Sequence, residues 1–213
     1  MDTKLFDYLF EVDLIIKNAY IATVNSSNQI IKNGSIVIND TKIVYVGLDS
    51  SKYKAKRTID AGGALVHPGF IDNHVHLNYH GLRWLIRDGA DWNESLPIHA
   101  KYMANIDSES EKMSTSLAML EMVKNGTTAF LEAGGVIGTD GVADTATNIG
   151  IRAFLGDSFV RDISSGGDST VSHDKDRAYK TLGEELVRNN KENGLVQGVV
   201  TLSGMGTASD ELL

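Results

Sequence analysis

The sequence predicts an α/β fold: the first half of a (β/α)8 TIM-type barrel, preceded by a small antiparallel β-sandwich element. Three observations predict it. Residues 1–65 read as short strands rich in Ile, Val and Tyr, separated by polar turns. From Val66 onward, apolar runs of strand length alternate with stretches of helical periodicity, as parallel βα units require. The first of these apolar runs ends in two histidines one residue apart, His74 and His76, at the strand terminus where parallel barrels gather their chemistry.

The elements follow in order. Leu14 to Val24 is the opening strand. Ser35–Ile38 and Ile43–Val46 form a hairpin across Asn39-Asp40-Thr41-Lys42, a link of turn composition, and this part of the chain is expected to have no catalytic role. The barrel begins with Phe70–His76 after a Pro68-Gly69 turn. Ser108-Glu109-Ser110-Glu111 matches a capping box and opens a helix. Met113, Leu117, Leu120 and Val123 recur along it at helical spacing as the expected core face, and Gly126 stands where a C-terminal cap belongs. Thr127–Leu131 is the second barrel strand. A helix over Val142–Asn148 precedes the third, Ile151–Leu155. Asp174–Asn190 is a helix with Ala178, Leu182 and Leu186 on one face, and Leu195–Leu202 is the fourth strand. Ile163–Ser172, rich in Ser, Gly and Asp, reads as a mobile loop above the barrel. Ser209 is placed to cap a last helical turn, Asp210–Leu213. A closed barrel of this type takes eight strands. The four units of residues 66–213 therefore read as the N-terminal half of a longer protein, or as one piece of a two-piece enzyme.

Composition narrows the function. The chain has 213 residues, 42% hydrophobic and 23% charged, with a net charge of -8. No basic stripe is available to neutralise phosphates, which argues against nucleic acid as a partner. With no cysteine, any metal has to be held by His and carboxylate. The N-terminus carries acids instead of a long apolar core, and no apolar run is long enough to span a bilayer. A cytoplasmic enzyme without a membrane partner is the default expectation.

On a strand, residues i and i+2 share a face, so His74 and His76 project side by side with Asp72 behind them. Paired imidazoles suit Zn, Fe, Ni or Cu, and zinc is the commonest catalytic choice. A His-x-His pair alone is a weak signal. The Pro-Gly turn and apolar run in front of it strengthen the metal reading over that of two polar residues at a loop start.

Further stretches carry a resemblance. They are Asp13–Ala19, the hairpin segments Asn33–Ile38 and Lys42–Gly47, Ile59-Asp60-Ala61-Gly62-Gly63, Asn125–Phe130 and Gly150–Phe154. Together with the histidine run, they make the chain resemble the amidohydrolase superfamily, in particular its cytosolic deaminase and triazine hydrolase branch, from about Asp13 to Leu213. The resemblance implies one divalent metal ion, zinc or iron, with His74 and His76 as two of its ligands. It implies that the other ligands and the catalytic acid/base come from later strands, so no catalytic residue is assigned within this chain and the chain alone is expected to be inactive. The implied chemistry is metal-activated water attacking an amino-substituted heterocycle, with ammonia leaving. The rivals are loss of chloride or an alkylamine from a triazine, and a non-catalytic scaffold lacking metal. A homo-oligomer is implied for the full-length protein.

Loops at the C-terminal rim shape a barrel's pocket. His80, Arg83 and Trp84 are therefore candidate substrate contacts for a small heterocycle, and both tryptophans, Trp84 and Trp92, lie in this loop. Ser203 is a fourth candidate. It stands where adenosyl-deaminating relatives place a substrate-contacting His, and Asp157 stands where they place an Arg. Both differences point to a smaller ring than S-adenosylhomocysteine. His67 is expected to be structural, and His99 and His173 to lie on the surface. Glu132, just past the second strand, faces the same rim and receives no role.

Overall fold

The computed structural model describes residues 9–156, 160–163, 175–202 and 206–213, without the side chain of residue 177. Ser203, Asp157, His173 and residues 164–172 of the expected loop lie outside the described residues. The chain divides into two compact units, Met1–Pro68 and Gly69–Leu213.

The first unit is one five-stranded sheet. Its strands are β1 (Phe10–Ala22), β2 (Ile30–Asn39), β3 (Lys42–Gly47), β4 (Tyr53–Asp60) and β5 (Leu65–Val66), in the order β3-β2-β1-β4, with β5 also on β1. The expected hairpin forms, with β1–β2 and β2–β3 antiparallel and Ile43 opposite Ile38. Asp40 turns it with φ at +53°, and its amide donates to Asp13 Oδ2 at 2.6 Å. After β3 the chain crosses over and adds β4 and β5 to β1 in parallel, so the sheet is mixed. Lys56 reaching Asp13 at 2.7 Å and Asn18 donating to Asp60 pin that crossover. Val12, Ile15 and Val37 form one small core and Ala19, Ile21 and Ile36 another.

The second unit is a parallel βα array. β6 (Phe70–Val75), β7 (Thr127–Glu132), β8 (Arg152–Leu155) and β9 (Val196–Gly198) pair in that order, all in parallel. A 3-10 turn (Leu77–Leu82), α1 (Trp92–Met103) and α2 (Ser108–Lys124) lie between β6 and β7. α3 (Thr139–Ile149) connects β7 to β8, and α4 (Lys175–Leu186) with a 3-10 turn (Val187–Asn190) precedes β9. Gly126 and Gly150 follow α2 and α3 at φ of +86° and +85°, the left-handed stop that only glycine adopts without steric cost. The fourth strand is shorter than its apolar run, which continues past β9 to a parallel bridge between Val160 and Leu202. Among the described residues no helix is long and apolar enough to cross a membrane.

Helix α2 departs from expectation in two ways. Its N-cap is Asp107, whose side chain accepts from Ser110 N at 2.8 Å, one residue earlier than the capping box implied. Glu111 does not reach back to the cap. It is buried and accepts from the amides of Ile137 and Gly138, both at 2.8 Å. The face is also reversed: Met113, Leu117, Leu120 and Val123 are exposed, while Glu111, Ser114, Thr115, Ala118 and Met119 are buried. Small side chains bring the helix close to the segment after β6, where Ser114 Oγ donates to the Asn78 carbonyl at 2.8 Å. Larger residues could not approach so closely, so polar satisfaction and close approach outweigh the apolar stripe. Met119 joins Leu77, Phe130, Val142 and Ile151 in the main core.

Met119→Ala is therefore expected to cost about 2–5 kcal/mol by loss of buried volume. Leu117→Ala, on the exposed stripe, should change stability by only about 0.5 kcal/mol. Chemical denaturation of the two variants checks the assignment. Equal losses would mean that both faces are buried.

Candidate metal-binding site

β6 places His74 and His76 at its C-terminal end. His74 is the penultimate strand residue, and its amide donates to Asp72 Oδ1 at 3.2 Å, so Asp72 orients this turn through the backbone. His76 follows the strand and enters the 3-10 turn in extended conformation. The two rings meet edge to face, 5.3 Å between centroids, with His74 exposed and the His76 side chain 30% exposed. His76 Nδ1 is buried and has no hydrogen-bond partner. Paired imidazoles are donors of the kind that suit a metal ion. Among the described residues no group of three His, Cys, Asp or Glu suited to an ion occurs.

The segment holding His76 is anchored from several sides. Leu77 is fully buried, and its amide donates to Glu132 Oε2 at 2.8 Å. Asn78, also fully buried, donates to the Gly135 carbonyl at 2.5 Å. The Asn78 carbonyl accepts from Tyr102 of α1 and Ser114 of α2, each at 2.8 Å. Glu132 ends β7 beside Val75, fully buried, and its Oε1 accepts from Gly135 N at 2.6 Å. That same oxygen lies 3.7 Å from His76 Nδ1. Sequence reasoning left Glu132 without a role. The available signal was an acid directly after the apolar run Ala129-Phe130-Leu131, at the rim that carries the histidines.

The loop residues sort differently from expectation. A file of rings runs outward from His76 through Tyr79 (5.1 Å) and His99 (4.9 Å) to Trp92 (5.8 Å). His99, expected on the surface, is half-buried and bonded through Nδ1 to the Ser95 carbonyl at 3.0 Å. His80 and Arg83 are held together at 2.9 Å, and Arg83 pairs with Glu121 of α2 at 2.7 Å. Trp84 is highly exposed with the Arg83 guanidinium 5.8 Å from its ring, and no contact links it to the histidine pair. A cavity of about 480 Å³ is lined by His76, Tyr79, His80, Glu121, Met122 and their neighbours, so His80 shares a hollow with His76 while Arg83 and Trp84 do not line it.

Comparison with known proteins follows the same lines. Residues 65–213 match the model of the amidohydrolase family. The chain belongs to that family. It is 31% identical over 204 residues to a 5-methylthioadenosine/S-adenosylhomocysteine deaminase of Bacillus cereus, covering 92% of this chain and 44% of the relative. Among solved structures it resembles a variant of atrazine chlorohydrolase from Arthrobacter aurescens TC1 complexed with zinc and atraton. That likeness has a TM-score of 0.79 at 21% identity, covering 93% of this chain and 48% of the other. It also resembles an adenosine deaminase from Xanthomonas campestris with bound zinc, with a TM-score of 0.74 at 23% identity, covering 90% and 43%. At these identities the structural likeness establishes the fold. This amidohydrolase chain spans about half the length of the proteins it matches.

Burial lowers the pKa of His80 below its ordinary 6.5, and Arg83 adds to the effect, while Glu121 pulls the other way. The folded chain then holds fewer protons at this ring than the unfolded chain does, so stability rises with pH. The contribution is complete above 6.5, the unfolded value, and is lost as pH falls through the lower folded value. His80→Gln should reduce the stability difference between about pH 7.5 and about pH 5.5. Denaturant midpoints at both pH values measure it, and an unchanged difference would place His80 in a solvated setting.

Proposed function

We propose that this chain supplies two imidazole ligands, His74 and His76, to a metal-dependent hydrolase that releases ammonia from an amino-substituted heterocycle. The observation that carries the reading is the pair itself: two rings 5.3 Å apart at the C-terminal end of the first strand of a parallel array, in a chain of the amidohydrolase family. Zinc is the first choice of ion and iron the second, in keeping with the chemistry of imidazole donors. The zinc-bound adenosine deaminase and atrazine chlorohydrolase neighbours support zinc. When bound, such an ion makes water a usable nucleophile near neutral pH. The chain's own residues hold the ligands in place: Asp72 through the His74 amide, and Leu77 and Asn78 by anchoring the turn that follows His76.

A small, flat heterocycle is the proposed substrate class. The ring file from Tyr79 to Trp92 beside His76 offers aromatic faces of the kind that stack on such rings. The curated relatives are named as deaminases of adenosyl compounds, which supports an amino-substituted ring. His80, Arg83 and Trp84 are proposed as substrate contacts, with Ser203 as a fourth.

Zinc titration of the purified chain tests the ligand assignment. With two ligands of an incomplete set, the chain should bind zinc weakly, and His74→Ala and His76→Ala should each reduce that binding further without altering the circular dichroism. A wild-type chain that binds no more zinc than the variants would sink the reading. Turnover, in whatever assembly completes the ligand set, should appear as ammonia from aminopurines or aminopyrimidines and not as chloride from a chlorotriazine.

A further inference from the structure

We propose that Glu132 is a positioning residue for His76: its buried carboxylate accepts the Nδ1 proton of the ring, fixes the tautomer and leaves Nε2 as the electron-pair donor. The proposal rests on the reading of His76 as a metal ligand and names what orients it. Glu132 is fully buried, and its two oxygens already accept one amide each, from Leu77 at 2.8 Å and Gly135 at 2.6 Å. A carboxylate has about four acceptor positions, so two amides leave capacity for a further donor. The donor that faces it is His76 Nδ1, 3.7 Å from Oε1, buried and with no hydrogen-bond partner. Closing that gap to about 2.9 Å satisfies both groups with a charge-assisted bond.

Gly135 supplies an independent observation. A Cβ there would lie 2.8 Å from His76 Nδ1, 2.9 Å from Asn78 Oδ1 and 3.0 Å from Glu132 Oε1. Its φ lies outside the left-handed region, so the missing side chain serves space and not conformation. The ring, the amide and the carboxylate converge on a point that any other residue would fill. Asn78 Oδ1 is the competing acceptor, but it is neutral, and an anion is the stronger partner for a ring N–H. A proton held on Nδ1 sets which nitrogen faces a metal, the part that carboxylates beside ligating histidines usually play.

The test is long-range 1H–15N correlation of the metal-free chain, which reads the tautomer of each histidine, followed by zinc titration. His76 should be the Nδ1–H tautomer in the wild type and lose that preference in Glu132→Gln, while His74 stays unchanged in both. Zinc affinity should fall about 10–100-fold in Glu132→Gln. A role confined to capping the two amides would lower thermal stability and leave both readouts where they were. The wild-type spectrum suffices to overturn the proposal if His76 carries its proton on Nε2, even where the variant does not fold. A His76 that keeps Nδ1–H in Glu132→Gln overturns it too and hands the role to Asn78. In either case zinc binding that depends on His74 and His76 would leave the ligand assignment standing, whereas zinc binding that ignores both histidines removes the two together.

Discussion

The carboxylate of Glu132 is buried at the end of a strand, and a buried carboxylate is tolerated only when donors surround it. Here the donors are backbone amides from two separate segments, Leu77 after β6 and Gly135 after β7. Satisfying this one charge ties together the C-terminal ends of the first two parallel strands. The residue before Leu77 is His76, so the constraint that makes the carboxylate tolerable also sets where an imidazole stands. Stability and site geometry meet in the same interaction.

A second buried acid completes the arrangement. Glu111 of α2 captures the amides of Ile137 and Gly138, at the far end of the segment that begins after Glu132. That segment has no regular structure of its own, yet both its ends are held by carboxylates. With Glu111 committed inward, the register of α2 is set. Ser114, Ala118 and Met119 then face the array, and the apolar stripe of Met113, Leu117 and Leu120 faces outward. Polar satisfaction outranks hydrophobic periodicity here because an unpaired buried acid costs more than a partly exposed leucine.

The pocket side follows from similar pairings. Arg83 spends its charge on Glu121 and keeps close to His80, while Tyr79, His99 and Trp92 continue the line of rings from the histidine pair. Arg83 is thus tied to α2 through Glu121, and Tyr79, His99 and Trp92 extend the line of rings from His76.

Local order was legible in the sequence. Alternating runs located the strands, the hairpin turned within Asn39–Lys42, Gly126 ended its helix, and the spacing of His74 and His76 announced paired imidazoles, because each of these depends on neighbours a few residues apart. What the tertiary structure decided involves partners far apart in the chain. Glu132 meets Leu77 across 55 positions, and Arg83 meets Glu121 across 38. The inward face of α2 depends on Ile137 and Gly138, which no helical periodicity can register. Periodicity records which side chains avoid water on average. Which buried acid meets which amide is settled only when the strands pair and bring those groups within hydrogen-bond distance.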